Sequence, residues 1–79
     1  MDTLYSGTSV FVRPIRKQSG KTSYGLFRHY ATGAFMEYDN LEEAVYIAKY
    51  IERYGGDFGS NVRKAAHTSW MNQLFRRIK

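Results

Sequence analysis

Hydrophobic and polar positions change their period once along this chain, and the change falls between Tyr38 and Leu41. Before it, short stretches rich in β-branched and aromatic residues alternate with turn residues. Residues 8–17, "TSVFVRPIRK", read as a first strand, with Pro14 marking an edge or a bulge. "QSGK" turns the chain at Gly20, and residues 22–30, "TSYGLFRHY", form the return strand of a hairpin. After "ATG", residues 33–38 read as a third strand. Beyond Tyr38 the spacing becomes helical: Leu41, Ala44, Val45, Ala48 and Ile51 fall on one face. Asp39 or Asn40 caps that helix, with Glu42 or Glu43 completing a capping box, and Gly55 and Gly56 end it. Ser60 or Asn61 caps a second helix. Its apolar positions Val62, Ala66, Trp70, Leu74 and Ile78 recur every four residues, joined by Met71 and Phe75. The expectation is an α+β fold with a three-stranded antiparallel meander followed by two helices, in the order β-β-β-α-α.

Alternation divides the strand residues between two faces. Val10, Val12, Tyr24, Leu26, Ala34, Met36 and Tyr38 are expected to face the helix. Phe11, Arg13, Ile15, Lys17, Phe27, His29, Phe35 and Glu37 then share the other face. Either the second helix covers those phenylalanines, or they stand open as an aromatic surface with basic residues among them. The first helix poses a matching question. Tyr46, Tyr50 and Tyr54 lie outside its apolar stripe, so either the second helix packs on them or they await a partner. Tyr46 and Tyr50 are expected to be less buried than Ala44, Ala48 and Ile51, with Tyr54 partly covered.

Composition narrows the function classes. Seventy-nine residues make one domain over 1–79, with residues 1–7 expected as a flexible amino terminus. The absence of cysteine removes disulfides and thiolate metal sites and fits a cytoplasmic setting. No basic segment leads into an apolar run at the amino terminus, and no apolar stretch is long enough for a bilayer, so no membrane partner is expected. A net charge of +5 draws the chain towards nucleic acid, nucleoprotein or acidic protein surfaces. One Trp, seven Tyr and five Phe are more aromatic bulk than so small an interior readily takes up.

Candidate chemistry is sparse. "SGKT" lacks the phosphate-loop glycine five residues before Gly20, where Ile15 stands, and it joins two strands. His29 and His67 have no partner at metal-ligand spacing, and without Cys a structural zinc site is not expected. Glu37 and Asp39 alternate towards one side, but capping accounts for Asp39 more simply. No serine or threonine has a nucleophile-elbow context, and no acid–base pair stands out. The chain is read as non-enzymatic, with neither cofactor nor metal. Lys49 and Arg53, four apart on the first helix, repel each other unless an anion lies between them. Arg76, Arg77 and Lys79 make a basic end suited to a helix carboxy terminus.

"VFVRPIRKQSGKTSYGLFRH" followed by "GAFMEYDNLEEAVYIAKYI" resembles the sheet-plus-helix unit of plant ethylene-response-factor domains and of phage-integrase amino-terminal domains. The resemblance covers residues 8–52 and rests on "GAF" followed by "LEEA". It implies that the sheet enters a DNA major groove, with Arg13, Arg16 and Arg28 as the contacts. Pro14 in the first strand, the missing groove-reading tryptophan and the second helix depart from that pattern. The same segment is similar to HicB-type antitoxin domains. In size and in its lack of catalytic groups the chain also resembles small phage-encoded inhibitors, anti-CRISPR proteins among them. Two binding functions follow. In one, the chain is a bacteriophage-type inhibitor or adaptor that docks on a host or effector protein or nucleoprotein through Tyr46, Lys49, Tyr50, Arg53 and Tyr54. In the other, it binds DNA or RNA through Arg13, Arg16, Lys17, Lys21 and Arg28. A homodimer is compatible with either.

Overall fold

The computed structural model describes residues 3–29, 32–54 and 59–78. Gly55 and Gly56, the Asp57 turn and Lys79 lie outside the described residues. The chain runs β1 (Tyr5–Ser6), β2 (Val10–Arg16), β3 (Thr22–Arg28), β4 (Met36–Tyr38), α1 (Leu41–Arg53), α2 (Ser60–Ile78). The fold is α+β, and its antiparallel sheet has four strands in chain order. The expected meander of three gains β1 at one edge. Of residues 1–7, expected as a flexible terminus, Met1 and Asp2 lie outside the described residues, and Leu4 to Gly7 run beside β2. Leu4 N–H donates to the Val12 carbonyl at 2.9 Å and Gly7 N–H to the Val10 carbonyl at 2.8 Å. β1 pairs only with Phe11 and Val12, so β2 is an open edge at Pro14, where a missing N–H is tolerated. Gly20 turns the hairpin at φ +88°, a region favourable to glycine alone, and its N–H reaches the Lys17 carbonyl at 3.0 Å.

Register aligns Val12 with Leu26 and Leu26 with Met36, and Tyr24 with both Pro14 and Tyr38. This places one alternation of three strands against α1. Val10, Val12 and Leu26 are fully buried there with Ala44, Ile47, Ala48 and Ile51. The alanines let the helix approach the sheet, and the isoleucines fill the space beside them. The buried arc includes Ile47, which is outside the stripe expected from sequence, while Leu41 of that stripe is 37% exposed. Asn40 is the N-cap, with extended backbone and a side chain that accepts from Glu43 N–H at 3.2 Å. The first turn of α2 closes on the Gly59 carbonyl, which accepts from Arg63 N–H at 3.1 Å. Ser60 and Asn61, the expected caps, are thus already inside the helix.

β4 departs from the expected alternation at its start. Phe35 N–H donates to the Leu26 carbonyl at 2.9 Å although Leu26 is paired with Met36. Two residues thus oppose one, the count of a β-bulge. The extra residue reverses the two side chains before it. Phe35 packs against the core instead of facing outward, and Ala34 lies against Gly25 on the outer side instead of facing the helix.

α1 and α2 are antiparallel. Arg77 pairs with Glu42 at one end, and the Tyr46 hydroxyl hydrogen-bonds the Ser69 hydroxyl midway. Ala66 and Trp70 enter the core from α2, Val62 and Leu74 pack beside them, and Met71 and Phe75 face out. Both helices stand on one side of the sheet.

Glu52 ties α1 to the β1–β2 connection. Its carboxylate accepts from the Thr8 hydroxyl at 2.9 Å, from the Val10 N–H at 2.6 Å and from the Ser9 N–H. Burial alone pushes its carboxyl up, but the Ser9 amide, the Thr8 hydroxyl and the Val10 amide outweigh burial and hold it below the ordinary value. A carboxyl lowered by folding stabilises the fold above its unfolded pKa, and that contribution is lost as pH falls through the lowered value. Urea midpoints of the native chain should therefore fall on acidification below the usual glutamate range. Glu52→Gln should be less stable near neutrality and flatter across that window; parallel pH profiles for the two proteins would contradict the assignment.

Candidate functional site

The helices leave the opposite face of the sheet uncovered among the described residues. Phe11 of β2 is paired with Phe27 of β3, and their rings stack with centroids 5.4 Å apart and planes within 7°. Arg13, two residues along β2, lies with Cζ 4.6 Å from the Phe11 centroid and 5.8 Å from that of Phe27. Both distances suit a cation above an aromatic face. The Arg13 Nε–H is shielded from solvent and has no acceptor among the described residues. Burying such a donor is costly, so the ring contacts must offset it. His29 extends the row, tilted 52° to Phe11 at 5.6 Å, with Nε2 3.3 Å from the Gly7 carbonyl. That contact is a hydrogen bond when Nε2 carries the proton.

Gly25 sits opposite Arg13, and a side chain has no room there. A Cβ would lie 2.6 Å from Ile15 Cδ1 and 2.9 Å from the Ala34 Cβ. Ile15, Ala34 and Phe27 thus close over the glycine as a continuous apolar strip, half-buried without a helix above it. Beyond it, the buried Ser23 donates to Glu37 Oε1 at 2.9 Å, and Lys17 Nζ stands 3.3 Å from the same oxygen. The Ser23 hydroxyl first, and Lys17 with it, hold the Glu37 carboxyl below its ordinary range. Glu37 thereby fixes Lys17 at the border of the aromatic row.

The proposed nucleic-acid residues do not all share this face. Arg13 lies at its centre and Lys17 at its border. Lys21 lines a recess with Lys17, Thr22, Ser23 and Asp39 at the hairpin end. Arg16 and Arg28 belong to the opposite alternation, where Arg28 aligns with Val10 and its Cζ lies 5.7 Å from the Phe35 ring. The proposed protein-docking residues are split as well. Tyr46 is engaged by α2, with its hydroxyl on Ser69 and its ring 5.4 Å from that of Trp70. Tyr50 is half-buried, its ring tilted 34° and 4.8 Å from that of Tyr54, which is 54% exposed and so more open than expected. Lys49 and Arg53 flank a small cleft with Tyr46, Tyr50 and Gln73, and Lys49 Nζ lies 5.8 Å from the Tyr5 ring.

Sequence reasoning did not find Glu52 as an anchor, nor Ser23 as the buried partner of Glu37, because both depend on contacts across the fold. It also did not find Arg63, Lys64 and His67 of α2 facing Met36 and Tyr38 across a groove. Among the described residues no three His, Asp or Glu side chains form a group able to hold a metal ion. No described helix is long and apolar enough to cross a membrane. Comparison with protein-family models, with curated proteins and with solved structures finds no match.

The contacts of Tyr46 make it part of the helix–helix packing. Tyr46→Ala should cost about 2 kcal/mol, through the lost ring contact with Trp70 and the lost hydroxyl bond. Tyr54→Ala should stay within about 0.5 kcal/mol, as exposed positions do. Chemical denaturation of both variants checks this; an equal, small effect would return Tyr46 to the list of free docking residues.

Proposed function

We propose that this protein is a non-catalytic binding module whose uncovered sheet face docks a single-stranded nucleic acid. The observation that carries the reading is the stacked Phe11–Phe27 pair with the Arg13 guanidinium over both rings. Aromatic rings on an open sheet face offer stacking surfaces to unpaired bases, each worth roughly 1–3 kcal/mol. Cations beside them meet the backbone phosphates. Arg13 and Lys17 supply this charge at the face, and Lys21 lies next to Lys17 at the hairpin. A strand lying along the row would meet His29, Phe11 and Phe27, then Lys17, in that order. A double helix presents few unstacked bases to such a row, so single strands are favoured over the groove-entry mode that the ethylene-response-factor resemblance implies.

A second reading keeps the chain as an inhibitor or adaptor that docks on a protein or nucleoprotein, in the manner of phage-encoded anti-CRISPR proteins. It is favoured by the exposure of Met71 and Phe75, at 39% and 65%, with Tyr54 open on α1. Tyr46 is already packed against α2, so the five-residue tyrosine surface is not intact as a free patch.

Fluorescence anisotropy of a short labelled oligothymidylate separates the readings. Binding should weaken steeply as salt rises. Phe27→Ala should weaken it at least about fivefold, the loss of one stacked base. Lys17→Ala should flatten the salt slope by about 0.7 for the lost phosphate contact. Binding that ignores salt, or that Phe27→Ala leaves unchanged in a folded variant, would overturn the proposal.

A further inference from the structure

A second surface lies on the helix side of the sheet, where α2 passes β4. Met36 and Tyr38 of β4 face Arg63, Lys64, His67 and Thr68 of α2 across an open groove. The β4 side is apolar. Tyr38 donates its hydroxyl to Met36 Sδ at 3.4 Å, and burial, with Glu43 nearby, pushes its phenol up to about 12. The phenol therefore stays neutral, and the wall it forms carries no charge. The α2 side is cationic. Arg63 is half-buried and Lys64 exposed, and neither has a carboxylate partner among the described residues. His67 is the exception, with Nδ1 3.9 Å from Glu43. One wall is thus apolar and the other carries unmatched positive charge.

The groove borders an unpaired strand. Strand order leaves the outer edge of β4 without a neighbour among the described residues. An edge of this kind is a template for a further strand. Along α2 the apolar character continues past Thr68 to Met71 and Phe75, spaced three and then four residues on and both exposed. A ligand that fits is extended: the side chains it turns towards α2 are acidic, and the alternate ones point to the other side of the sheet. We infer that the β4–α2 groove binds an acidic, extended peptide segment that adds to the free edge of β4 and sets its carboxylates against Arg63 and Lys64. A second copy of this chain is disfavoured, because each copy carries +5 and would bring like charge to the groove. Asp39, just past β4, repels acidic groups at that end and so places the peptide's carboxylates on the α2 side.

This inference does not depend on the nucleic-acid reading, since the two surfaces lie on opposite sides of the sheet. The probe is the end-blocked peptide Glu-Val-Glu-Leu-Glu-Val-Glu, titrated into isotopically labelled protein and followed by amide NMR signals. A Lys-for-Glu version of the peptide is the control. The acidic peptide should shift Met36, Glu37, Tyr38 and Thr68, and the Lys version should not bind. Arg63→Glu with Lys64→Glu should weaken binding at least about tenfold. Lys64→Glu alone, at an exposed position, should weaken it measurably and guards against misfolding of the double variant. Absence of binding, shifts confined to Phe11, Arg13 and Phe27, equal binding of both peptides, or displacement by oligothymidylate would each overturn the inference.

Discussion

Helix α1 holds this small fold together because it must be covered on two flanks by different elements. Ala44, Ile47, Ala48 and Ile51 are fully buried, and the sheet supplies Val10, Val12 and Leu26 against them. The neighbouring flank carries Glu43, Tyr46 and Tyr50, and α2 packs there through Ser69 and Trp70. A chain of this length has few elements to distribute. With both helices committed to one side, the rings on the other side of the sheet stay open to solvent. That arrangement leaves an aromatic and basic surface where a three-layer fold would have a second core.

Electrostatics follow the same division. Glu52 is occupied by the Thr8–Val10 segment, Glu42 by Arg77, Glu43 by His67, and Glu37 by Ser23 and Lys17. These carboxylates fasten elements to one another. Among the described residues Arg13, Arg63 and Lys64 have no carboxylate partner, so unmatched positive charge stands on the outer face of the sheet and on the rim of the β4–α2 groove. Surface ion pairs contribute little to stability individually.

Much of the architecture was legible because it rests on local periodicity. The change of period after Tyr38, a cap at Asp39 or Asn40, the burial of Val10, Val12 and Leu26, and the entry of Trp70 into the core all follow from spacing and local chemistry. What was not legible depends on a single residue or on a distant partner. β1 has two residues, too few for a period to show. The bulge at Phe35 and Met36 adds one residue and so reverses Ala34 and Phe35. Ile47 is buried and Leu41 exposed, the reverse of the expected stripe. At the outer face, alternation placed Phe11, Arg13 and Phe27 together, but only the packing of α2 against α1 determines that they stay uncovered. The same packing engages Tyr46 with Ser69 and Trp70, which spacing along α1 alone does not show.

The central claim is that the face opposite the helices is the working surface. Amide and aromatic NMR signals followed during titration with a short oligothymidylate test it most directly. The account predicts that Phe11, Arg13, Phe27 and His29 shift together while Ala44, Ala48 and Trp70 stay fixed. Shifts concentrated on α1 and α2, with the Phe11 and Phe27 rings unmoved, would contradict it.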